Sequence, residues 1–91
     1  MTRTLAPEFL QAFDTIPNGT SVGHSRGRRY VATKSCFNDG KSVKLVAEEL
    51  GGTDYISCNL YLLTRGARLF PCEMPVENVI HFVMNFNAEQ P

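Results

Sequence analysis

Apolar residues recur along this chain in two rhythms. Near the start, Phe9, Leu10, Phe13 and Ile16 stand at i, i+1, i+4 and i+7, one stripe of a helix over residues 7–15. Pro7 suits its first turn, where the missing N–H is not needed. Glu8 lies at the positive end of the helix dipole. Pro17-Asn18-Gly19 stops the helix and turns the chain. Near the end, Val76, Val79, Ile80, Val83 and Phe86 form a second helical stripe, over residues 75–85 and opened by Pro75. Asn78, His81 and Asn85 fall on its other side.

Between the helices the period drops to two. The clearest strand is 55–63: Ile56, Cys58, Leu60 and Leu62 share one face, and Tyr55, Ser57, Asn59 and Tyr61 the other. Strands are also predicted over 28–37, 42–49 and 67–70, with a short and weaker extended piece over 20–24. Asn38-Asp39-Gly40 is the clearest turn, since Asp-Gly tolerates the positive φ of tight hairpins. Residues 41–50 also score as a helix. The Asp-Gly turn before them and Gly51-Gly52 after them decide for strand. Pro71 ends the last strand, because proline cannot donate to a ladder. Residues 87–91 read as a polar, frayed tail.

The predicted order is α-β-β-β-β-β-α. Short connections make the five strands a mostly antiparallel meander. Each helix has one apolar stripe to bury, so both are expected on the sheet face carrying Ile56, Cys58, Leu60 and Leu62, in a two-layer α+β domain. Ninety-one residues allow one domain, 1–91, with an ordered core over about 7–86. A core this small leaves little room for a large substrate cavity.

Composition narrows the class of protein. Hydrophobic residues are 43% and charged residues 20%, the profile of a folding chain. No apolar run approaches the roughly 20 residues that span a bilayer, and the first residues lack the apolar centre of a secretory signal. A cytoplasmic location without membrane attachment is the expectation. Three cysteines, Cys36, Cys58 and Cys72, are odd in number and widely spaced, unlike a secreted disulfide framework. Nine basic and nine acidic groups cancel, against the basic excess of a duplex-DNA binder. The zero hides a split: residues 1–45 carry +4 and residues 46–91 carry −4. Because sequential strands pair, the two halves are expected to interleave and neutralise each other.

Three groups of residues offer chemistry. Arg26, Arg28 and Arg29 with Tyr30 form a basic cluster around a Gly27 turn, suited to gripping carboxylate or phosphate bidentately. The same charges also guard a strand edge against pairing. Tyr55, Asn59 and Tyr61 line the polar face of the best strand, and register permitting Lys34 and Lys44 join them. Tyrosine beside basic groups suits a protein interface or the stacking of single-stranded bases, and otherwise is ordinary cross-strand pairing. Cys72 stands just before the second helix, where amides lower a thiol's pKa, although Glu73 beside it acts the other way. Its use as a nucleophile needs His24 or His81 nearby. Glu77 and His81 are an i, i+4 pair, worth a little helix support.

No CxxC, CxxH or HxxxH spacing joins the cysteines and histidines, so no metal site is expected. There is no nucleophile elbow, phosphate loop or dinucleotide fingerprint, and no cofactor is expected. The resulting expectation is a small non-catalytic binding module that contacts a protein partner, or a second copy of itself, through Arg26, Arg28, Arg29, Tyr30, Tyr55, Asn59 and Tyr61. Two alternatives are single-stranded nucleic-acid binding on the same face and a small thiol enzyme centred on Cys72.

Overall fold

The structure, a computed structural model, describes residues 5–89. Helix α1 (Pro7–Thr15) leads into strands β1 (Gly19–Ser25), β2 (Arg28–Phe37), β3 (Ser42–Glu49), β4 (Tyr55–Leu63) and β5 (Gly66–Pro71), followed by helix α2 (Val76–Asn85) and a two-residue strand β6 (Asn87–Ala88). The domain is α+β, as its hydrophobic rhythms predict. Its sheet has six strands rather than five, in the order β5-β4-β3-β2-β1-β6, every pair antiparallel.

The sixth strand corrects the reading of the chain end as a frayed tail for residues 87–89; Gln90 and Pro91 lie outside the described residues. Ala88 and Asn87 pair with Gly23 and His24, and the Glu89 amide donates to the Val22 carbonyl at 2.7 Å. Residues of ordinary polarity are held here because β1 is an edge with unpaired carbonyls. Gly23 makes the pairing possible: a Cβ there would run into the Asn87 carbonyl and the Phe86 ring.

Both helices cover one face. Phe9, Phe13 and Ile16 from α1 and Val79, Phe82 and Val83 from α2 meet Leu45, Ala47, Ile56, Cys58 and Leu60 of the sheet. Leu62, expected in that core, lies beyond the helices and is exposed. Neither helix has a side-chain N-cap or a basic residue in its last turn. α1 is completed instead from the sheet: Lys34 of β2 is buried beneath it and donates Nζ to the carbonyls of Phe13 and Ile16, at 2.9 and 3.0 Å. Lys34 therefore belongs to the core face and does not join Lys44 on the open one. Ser25 ties α2 down in the same way, donating to the Phe82 carbonyl at 3.0 Å.

Candidate functional site

Antiparallel partners share a face, so the register lays out the uncovered side of the sheet row by row. One row runs Phe37, Ser42, Tyr61, Arg68, and the next Ser35, Lys44, Asn59, Phe70. Further on come Thr33, Val46 and Ser57, then Val31, Glu48 and Tyr55. The first two rows lie beside the β2–β3 and β4–β5 turns. Phe37 and Phe70 are half exposed there, and Tyr61 meets Phe70 edge to face at 5.5 Å. Lys44 and Arg68 stand among these rings, and among the described residues neither has an ion-pair partner. Phe37 and Phe70 were not singled out from sequence; the signal was register, since each falls in phase with Tyr61 only once the hairpins are paired.

The basic cluster does not form one surface with these residues. Adjacent strand positions point to opposite faces. Arg29 lies on the open face, beside His24, and grips Glu89 through two hydrogen bonds of 2.8 and 3.2 Å. Each partner favours the other's charged form: the pair raises the Arg29 pKa and lowers that of Glu89. Arg28 and Tyr30 point to the helix side. Tyr30, expected as a contact residue, is buried against Phe82, ring to ring at 4.9 Å. Tyr55, Asn59 and Tyr61 do share the open face, with Arg29 at its far end. The split of charge between the two halves of the chain closes in the fold as well: Arg28 meets Glu49 at 3.7 Å and Arg29 meets Glu89.

Behind the β1–β2 turn, between that turn, the start of β4 and α2, is an open cleft of about 310 Å³. Its walls include Arg26, Arg28, Asp54, Asn78 and His81, over a floor of Ile56 and Phe82. The Tyr30 hydroxyl donates to Asp54 at 2.6 Å. Burial, then that bond, pushes the phenol up to about 12, so it remains a donor throughout the neutral range. Arg26 approaches Nδ1 of His81 at 3.4 Å. A guanidinium only donates, so in this contact Nδ1 is the acceptor. Asp54, Asn78 and His81 were not connected to the arginines by sequence, because they come from a loop and a helix 25 or more positions further along the chain.

Cys72 is half-buried on the open side, where the Asn59 amide donates to its Sγ at 3.9 Å. His24 is on β1, four strand spacings or roughly 19 Å across the sheet, and His81 is on the helix that covers the other face. No imidazole activates this thiol. Among the described residues, no three of His, Cys, Asp and Glu gather as metal ligands would, and no helix is long and apolar enough to cross a membrane. No protein-family model matches the chain, and no curated protein or solved structure matches it significantly.

Proposed function

We propose that the chain is a non-catalytic binding module whose open sheet face receives a protein partner bearing acidic and apolar side chains. The observation that carries this reading is the cluster of Phe37, Tyr61 and Phe70 around Lys44 and Arg68, on a sheet face that neither helix covers. Aromatic residues and arginine are the groups that supply most binding energy at interface centres. Glu48 sits two rows away beside Tyr55, and Glu89 is held by Arg29 at the far end, so the two rows themselves carry Lys44 and Arg68 and no acid and complement an acidic segment. Two free cations favour a protein over a single-stranded nucleic acid, whose grooves track many phosphates with many basic groups.

Selection of a random peptide display library on the chain tests this. Peptides pairing Asp or Glu with apolar residues should be enriched, and should lose at least tenfold in affinity for Phe70→Ser and for Lys44→Glu. Peptides indifferent to both variants overturn the reading. So does an oligo-dT probe that shifts the amide resonances of these rows at low salt where the selected peptides do not.

A further inference from the structure

The geometry points to a second binding site in the cleft behind the β1–β2 turn, one that takes a small organic oxyanion, a phosphate ester or a carboxylate, between Arg26, Arg28 and His81. It is separate from the open face, since it lies on the helix side of the sheet.

Three observations converge. The cleft, at about 310 Å³, is at the lower end of the range typical of small-molecule sites, on the order of 300–1,000 Å³. A macromolecular surface would not enter it. Its lining combines both kinds of polar group. Arg26, Arg28 and Asn78 bring N–H donors, and Asp54, which accepts from the Tyr30 hydroxyl, brings an acceptor. An oxyanion on the arginines and a hydroxyl or amine on Asp54 would use both, with Ile56 and Phe82 as apolar lining for the carbon skeleton.

The third observation is the backbone of Arg26. Arg26 and Gly27 form the two-residue β1–β2 turn, with φ of 54° and 80°. Positive φ at both positions is the tight hairpin geometry that favours asparagine, aspartate or glycine at the first position. An arginine there is held in a left-handed conformation that its Cβ disfavours. In return its guanidinium lies over α2, 3.4 Å from His81. Strain at such a position marks a side chain retained for a contact rather than for the fold. Its contact with the His81 ring, at 3.4 Å, is a long one. Arg28 stands 3.7 Å from Glu49 and close enough to the Tyr30 hydroxyl to oppose the rise of its pKa. Both guanidinium groups have donors to spare for a bidentate oxyanion.

The test is an amide-shift titration of the isotope-labelled chain with glycerol 3-phosphate and, separately, citrate, at constant ionic strength, with glycerol and sodium chloride as controls. Saturable shifts confined to residues 25–30, 54 and 78–82 support the site, and the tighter probe identifies the anion. Shifts no larger than chloride produces, or shifts centred on Lys44 and Arg68, overturn it. Arg28→Gln should weaken binding at least tenfold, and Arg65→Gln, in the β4–β5 turn, should leave it unchanged. Arg26→Asn separates the site from the fold. It should raise the melting temperature by a few degrees, as relief of turn strain does in a domain this small, while weakening the probe at least tenfold. A variant that gains stability and keeps full affinity overturns the proposal.

Discussion

The ammonium of Lys34 closes the C-terminus of α1 by donating to the Phe13 carbonyl, 2.9 Å away, and it does so from the middle of β2. It also reaches the Ile16 carbonyl at 3.0 Å and stands 5.3 Å from the Phe13 ring. A helix C-terminus carries partial negative charge on its free carbonyls, and a cation there is favourable. Burial opposes this, lowering the Lys34 pKa from its ordinary value. The net shift is downward, so desolvation exceeds the charge interactions that favour the ammonium, and the two hydrogen bonds fix where it sits rather than cancel that cost. Lys34→Met should still destabilise the domain by about 1–3 kcal/mol, because the Ile16 carbonyl loses its partner and the Phe13 carbonyl keeps only the Ile16 N–H. Urea unfolding reads the difference, and a variant as stable as the parent would show that the cap contributes nothing.

Gly23 predicts a second weak point. Any side chain there meets the Asn87 carbonyl and the Phe86 ring. Gly23→Ala should displace β6 and loosen the end of α2 at a cost of about 1–3 kcal/mol, the usual range for overpacking. Amide exchange should accelerate at Glu89, whose N–H donates to Val22. Unchanged protection at that amide would contradict the close approach.

Alkaline stability follows from two buried groups. Tyr30 is pushed up to about 12 from 10.0, first by burial and then by its bond to Asp54. Cys58 is pushed up to about 12 from 9.0, again first by burial. In both cases the folded state keeps a proton that the unfolded state has lost. Their contribution is complete below pH 9 and is lost as the pH climbs through 12. Unfolding midpoints should fall over that window, and Tyr30→Phe should fall less steeply from pH 10 upward. Identical slopes for the two proteins would rule Tyr30 out as a source.

The three thiols should be distinguishable at neutral pH. Cys36 is exposed, Cys72 half-buried and Cys58 buried. A thiol reagent should modify Cys36 readily and Cys72 more slowly, and should reach Cys58 only on unfolding, since the buried thiol supplies almost no thiolate. Cys72 labelling faster than Cys36 would reopen a nucleophilic role that the absence of a nearby imidazole argues against.

Local patterns carried most of the architecture. The apolar stripe of Phe9, Phe13 and Ile16 and the alternation of Ile56, Cys58 and Leu60 required a helix and a strand with those faces inward, because burial is set by periods of 3.6 and 2. The face of Tyr55, Asn59 and Tyr61 was legible for the same reason. Lys34 was not: on pattern alone a lysine in a strand belongs in solvent, and its partners belong to a helix end 18 or more positions earlier. β6 was equally hidden, since Asn87 and Ala88 have no strand propensity and are held by the free edge of β1. The cleft depended on tertiary structure most of all. Arg26 and Arg28 could be read as a basic turn, and strand alternation already sets Arg28 and Arg29 on opposite faces, but the meeting of Arg26 and Arg28 with Asp54, Asn78 and His81 arises only when α2 packs across the sheet. Sequence by itself determined which faces are buried; which polar groups meet at the ends of those faces was decided by packing, because such contacts join segments that no local period relates.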